Sequence, residues 1–172
     1  TTAWLNAFTA IPLRPGQRIL TTRAEYASNM LQLMHTAAAA GVTIEVIPDG
    51  PDGAPDPAAF ADLLGPDVAV VAVTQTPSHN GLVADVVAIG EALRASGSDA
   101  FYLVDGCQSV GQMEVDVNQI GCDAFSATGR KFLRGPRATG FLYVGDRLRD
   151  LQPSRVDLHS AEWTDDTEYR LA

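Results

Sequence analysis

Two hydrophobic rhythms alternate along the chain. Short runs rich in Val, Ile and Thr, bounded by Gly, Pro or Asp, stand between longer stretches whose apolar residues recur at helical spacing. An opening helical stretch from Thr1 leads to a strand at 18–21 behind the Pro15–Gly16 turn, and a helix over 28–40 closes at Gly41 in the C-cap position. A strand at 42–47, a Pro/Gly/Asp loop at 49–57 and a short helix at 57–64 follow. Residues 68–74 are apolar almost without interruption, as expected of a strand covered on both faces. Next come a helix over 83–96, a strand at 100–104, a short helix near 107–110, a strand ending at 124–127 and a strand at 140–144 running back from the Gly135–Pro136 turn. Strands joined by helical crossovers predict an α/β fold in three layers, a mostly parallel sheet with helices on both faces. The pattern weakens after Leu151, so 1–150 reads as one domain and 151–172 as a linker toward an absent C-terminal small domain.

Composition narrows the function. A net charge of -9 without a Lys/Arg run argues against a nucleic-acid or anionic-membrane surface, since both attract basic patches. No stretch of eighteen apolar residues and no signal-peptide layout occurs, so a soluble, cytoplasmic protein is expected. The chain opens at Thr1 without a methionine and closes on a polar stretch, which suggests a fragment. Cys107 and Cys122 have no CxxC spacing and lie in apolar surroundings, as buried small hydrophobes do. Trp4 and Trp163 read as packing residues, His35 and His159 as structural or solvated, and His79 as a surface histidine.

In open α/β sheets ligands bind beyond the carboxyl ends of the strands, so polar residues immediately after apolar runs are the candidates. Four places qualify: Glu25–Tyr26, Ser78–Gly81, Asp105–Gln108 and Thr128–Lys131. Lys131 is the only lysine among 172 residues, the other eleven cations being arginines. A desolvated lysine amine can form a Schiff base with an aldehyde and arginine cannot, although an exposed loop lysine explains the position as well. Asp105 is either a carboxylate aimed at a cationic ring nitrogen or the N-cap of the following helix. Thr1 and Thr2 could cradle a phosphate at a helix start or simply cap it. Thr128 and Arg130 would add a hydroxyl and a cation to the same anion.

The order of these pieces resembles the class V aminotransferase and cysteine desulfurase family of pyridoxal-phosphate (PLP) enzymes. The resemblance runs from Thr1–Asn6 to Phe141–Val144, and is most specific in Asp105-Gly-Cys-Gln108 and Thr128-Gly-Arg-Lys131-Phe-Leu-Arg-Gly-Pro136. It implies a fold-type I large domain in which Lys131 forms the Schiff base and shuttles the substrate's α-proton. It further implies that Asp105 pairs with the pyridine nitrogen, Gln108 hydrogen-bonds near the ring's phenolic oxygen, and Thr2, Thr128 and Arg130 hold the phosphate. Arg130 stands where the family usually has a histidine, and Tyr26 where many members stack one on the ring. A tyrosine can stack but cannot replace imidazole as a proton carrier near neutral pH. Ser78 falls where relatives carry Asn or Thr beside the cofactor or substrate.

The resemblance also implies a homodimer acting on an amino acid. No segment matches the mobile cysteine loop of persulfide-forming desulfurases. That absence, together with isopenicillin-N-epimerase-like wording around Glu25–Asn29 and Thr76–Ser78, favours a carbon-sulfur lyase or an aminotransferase- or epimerase-like member. A cofactor-binding pseudoenzyme or interaction domain of the same fold is the alternative, and a Rossmann dinucleotide enzyme is disfavoured because no GxGxxG turn follows the first strand.

Overall fold

The computed structural model describes residues 1–156 and 161–171. The elements in chain order are α1 (Thr2–Ala10), β1 (Arg18–Thr22), α2 (Ala27–Ala40), β2 (Thr43–Ile47), α3 (Pro57–Leu63), β3 (Val68–Thr74) and α4 (Val86–Ser96). They continue with β4 (Phe101–Asp105), α5 (Val117–Ile120), β5 (Ala124–Thr128), β6 (Gly140–Val144), α6 (Asp146–Arg149), β7 (Ala161–Asp165) and β8 (Glu168–Leu171). Six strands form one sheet in the order β2-β1-β3-β4-β5-β6, with every pair parallel except β5 and β6.

The apolar run at 68–74 lies at the sheet's centre, and all seven residues of β3 are buried. Its side chains divide by parity. Val71 and Val73 join Phe60, Ile89, Leu93 and Ile120 of α3, α4 and α5, while Val70 and Ala72 join Trp4, Phe8 and Leu33 of α1 and α2 on the other face. Each fully buried valine contributes about 1.5–3 kcal/mol of transfer free energy. Two helical layers over a parallel sheet are therefore what the periodicity demanded.

Local chemistry sets the helix ends. Asp56, Asp85 and Asp116 each accept a hydrogen bond from a backbone N–H in the first turn of α3, α4 and α5. Gly41, at φ +67°, closes α2 in the left-handed conformation, as its position predicted. Helix α4 begins at Val86 rather than at 83, because Asp85 rather than the preceding apolar residues supplies the cap.

Three expectations need correction. Residues 107–110 form turns, not a helix, and the helix in this stretch is α5, ten residues later. The chain beyond Leu151 is not featureless, since β7 and β8 pair antiparallel, with Trp163 opposite Tyr169. Trp163 is no packing residue, being 74% exposed, whereas Trp4 is buried and stacks on Phe8 at 5.1 Å. His35 and His79 are exposed, and His159 lies outside the described residues.

Candidate active site

The parallel strands end side by side, and beyond their carboxyl ends lies a cavity of about 390 Å³. All eight residues singled out above line it: Lys131, and with it Thr2, Tyr26, Ser78, Asp105, Gln108, Thr128 and Arg130. Thr1, Thr74, Thr76, Cys107 and Thr139 complete much of the polar wall. The volume falls in the range of small-molecule sites.

One wall is built on β4. Asp105, its last residue, is 4% exposed. Its backbone carbonyl accepts from Gln75 N–H at 3.0 Å, its Oδ1 accepts from Cys107 N–H at 2.9 Å, and its Oδ2 accepts from Asn29 Nδ2 at 2.9 Å. Asp105 therefore caps no helix but closes a turn, with the second oxygen held by a helix on the sheet's far side. The next residue must be glycine, because a Cβ on Gly106 would lie 1.9 Å from Cζ of Phe125.

Behind this carboxylate sits a second one that the sequence did not assign. Glu25 is 8% exposed, and its carboxylate accepts from Thr74 N–H at 2.9 Å, Thr74 Oγ1 at 2.5 Å, Tyr26 N–H at 3.0 Å and Asn29 Nδ2 at 2.9 Å. Burial pushes its pKa above the ordinary carboxylate range and the nearby Asp105 charge pushes the same way, against the hydrogen bonds from Thr74 and Asn29. Asn29 is fully buried, and its Oδ1 has no partner among the described residues. Such an orphan costs about 1–3 kcal/mol, so the two bonds from its nitrogen stand against a real penalty. The available signal was a polar amide in an Ala/Leu/Met helix, four residues after a glutamate.

A second wall is the loop from Thr128 to Thr139, between β5 and β6. Gly129 N–H donates to Thr139 O at 2.9 Å, Gly135 N–H to Gly129 O at 2.7 Å, and Thr139 Oγ1 to Pro136 O at 2.7 Å. Arg134 and Ala138 have φ of +57° and +64°, a conformation that side-chain-bearing residues adopt at a cost. Lys131 is half-buried, and its ammonium makes no hydrogen bond or ion pair among the described residues.

The remaining walls come from helix starts and a loop. Thr1 occupies the N-cap of α1 yet its hydroxyl makes no capping bond, so capping does not account for it. Thr1, Thr2, Thr128, Thr139 and Arg130 together offer hydroxyl, backbone and guanidinium donors near a helix N-terminus, a set suited to a phosphate. Tyr26 sits at the N-cap of α2 with 38% exposure, and Ser78 follows β3 in an exposed loop.

The cysteines differ from expectation in part. Cys122 is buried, but Cys107 is only half-buried and faces the cavity beside Asp105. Burial raises both thiols to about 12, with the Asp105 charge adding to the effect at Cys107, so both are protonated at neutral pH.

A doubly wound sheet whose strand ends open on a polar cavity lined by both the lysine amine and a buried carboxylate matches the large-domain fold of PLP-dependent transferases. The chain belongs to the aminotransferase class-V family, whose sequence model matches residues 1–161. A probable cysteine desulfurase of Methanothermobacter thermautotrophicus is 36% identical over 141 residues, covering 81% of this chain and 34% of the relative. The apo structure of a cysteine desulfurase from Thermococcus onnurineus superposes with a TM-score of 0.88 at 25% identity, covering 98% of this chain and 42% of that one. A mutant of the lyase C-DES, with glycine covalently linked to its PLP cofactor, superposes with a TM-score of 0.86 at 25% identity, covering 99% and 46%. The chain thus spans about a third of the length of the curated relative and less than half of the solved ones.

Proposed function

We propose that the protein carrying this chain is a PLP-dependent enzyme acting on an amino acid, with carbon-sulfur bond cleavage as its reaction. The observation that carries the reading is the position of the chain's only lysine and of Asp105 on the same cavity. Bound there, PLP would supply an aldehyde for an amine and a protonated ring to withdraw electrons from the substrate's α-carbon.

The protein's own groups divide the remaining work. Lys131 would hold the cofactor through its amine, and the same amine would serve to take and return the substrate's α-proton. Its lack of a fixed partner suits both tasks. Asp105 would pair with the pyridine nitrogen and favour its protonated form. Gln108 would donate toward the ring's phenolic oxygen, and Tyr26 would stack on the ring face. Thr2, Thr128 and Arg130 would hold the phosphate, and Ser78 would contact the substrate or a ring substituent.

Sulfur chemistry is supported by the desulfurase and lyase relatives. The small domain expected after residue 150, and a homodimeric assembly, belong to the same proposal.

The test is reconstitution of the intact protein with PLP, reduction with borohydride and mass mapping of the adduct. A cofactor-sized increment on the Lys131 peptide, lost in Lys131→Ala, is expected, together with release of sulfide or thiol from a cysteine-type substrate. A protein that stays colourless, or an adduct that persists in Lys131→Ala, would overturn the assignment.

A further inference from the structure

We propose that Glu25 and Asn29 are positioning residues for Asp105, forming a buried brace that fixes its carboxylate toward the ring nitrogen of the cofactor. The proposal rests on the PLP reading above.

The brace is defined by counting hydrogens. A primary amide nitrogen carries two, and those of Asn29 are directed at Glu25 Oε1 and Asp105 Oδ2, each at 2.9 Å. Turned the other way, the amide would face two carboxylates with its own oxygen and leave both unbonded. The orientation is dictated by acceptors on both sides, even though it leaves Oδ1 buried without a partner among the described residues.

Glu25 in turn is anchored rather than free. Its other donors are the backbone N–H and hydroxyl of Thr74, at the end of β3, and the backbone N–H of Tyr26, at the start of α2. One buried carboxyl thereby ties together the end of the central strand, the residue proposed to stack on the ring and, through Asn29, the residue proposed to pair with the ring nitrogen. The groups within reach of Glu25 are these donors and Asp105, which is the charged group acting on it. A purely structural polar cluster would have no need to end on the carboxylate that lines the cavity.

The brace also explains a feature of Asp105 itself. Its Oδ1 is held by the turn and its Oδ2 by Asn29, so the carboxylate plane cannot rotate without breaking one of two hydrogen bonds. A fixed plane would hold the carboxylate in one orientation on the cavity wall, whatever moves within the cavity.

The experiment uses the intact protein reconstituted with PLP labelled at the ring nitrogen. Nitrogen NMR across a pH series reads the midpoint at which that nitrogen loses its proton, for the parent, Asn29→Ala and Glu25→Gln. In Asn29→Ala the midpoint should fall by about one pH unit, a tenfold loss of proton affinity at the ring. In Glu25→Gln it should fall by less, since the glutamine oxygen still accepts from Asn29 while its amide NH2 meets the Thr74 N–H, another donor. Both variants should retain the reducible Lys131 adduct. An unchanged midpoint in both, with cofactor bound, overturns the brace and leaves the PLP reading standing. Should Asn29→Ala fail to fold, an unchanged midpoint in Glu25→Gln alone overturns it. A parent that forms no adduct takes down both.

Discussion

The two walls of the cavity are built on opposite principles. The Asp105 wall rests on the parallel strands β3 and β4, where the sheet is packed on both faces and the carboxylate is held at each oxygen. The Lys131 wall is an exposed loop before the one antiparallel strand, carrying two non-glycine residues at positive φ and an amine with no partner among the described residues. Under the proposed function, rigidity would suit a carboxylate that pairs with one atom of the cofactor, and freedom would suit an amine that has two tasks. Strain and loose packing are tolerated where motion is required.

The sharpest way to break this comparison is to remove each functional group and ask what else is lost. Lys131→Ala should reduce turnover on the order of 10²–10⁴-fold, the usual worth of a positioned proton-transfer group, while unfolding free energy changes by less than about 0.5 kcal/mol. Urea denaturation beside a sulfide-release assay checks both numbers. A large stability loss would show that the loop wall is more tightly built than its geometry indicates.

Asp105→Ala should instead cost stability as well as activity, because it strands the Asn29 amine and the Cys107 N–H in a buried setting. The expected loss is about 1–3 kcal/mol in the same denaturation experiment.

The neighbouring glycines sharpen the contrast without touching chemistry. Gly106→Ala should lose about 1–3 kcal/mol, since its Cβ would meet the buried Phe125 ring. Gly129→Ala should lose less, because its Cβ meets the Thr139 hydroxyl at 2.4 Å, the end of a side chain that can rotate. Equal losses in thermal melting would contradict the distinction between the walls.

A pH series probes the buried side more gently. Burial first, and the Asp105 charge second, hold folded Glu25 above its ordinary value near 4.3. A raised carboxyl contributes stability that is complete below the unfolded pKa and is lost as pH rises through the folded one. The stability of Glu25→Gln relative to the parent should therefore improve steadily from about pH 4 toward neutrality. A flat difference would mean that Glu25 is not raised.

The smallest effect belongs to the loop. Arg134→Gly relieves a side-chain-bearing residue at φ +57° and should change stability by no more than about 1 kcal/mol, in the stabilising direction. A measurable loss in melting temperature would show that the arginine side chain, not backbone strain, governs that turn.

Much of the molecule was legible in its sequence because period and punctuation are local properties. The unbroken apolar run at 68–74 announced a doubly covered central strand, Gly41 announced the end of α2, and a single lysine behind a strand end pointed to the loop that lines the cavity. The turn at 107–110 and the hairpin after residue 160 were misread because neither has a periodic pattern, and turn geometry there depends on where Asp105 and Trp163 lie in space. Asn29 was passed over for a related reason. A helix periodogram registers a polar residue on a buried face only as an interruption, and the two carboxylates that justify it come from 4 and 76 residues away.

Which chemistry was available, and roughly where along the chain, was thus written in residue types and spacing, because an amine, a carboxylate and a glycine-rich turn are recognisable alone. Whether they face one another was decided only when β1, β3, β4 and β5 aligned their ends. Hydrogen bonds between residues distant in sequence depend on register and layer packing, and those are fixed by the whole core together.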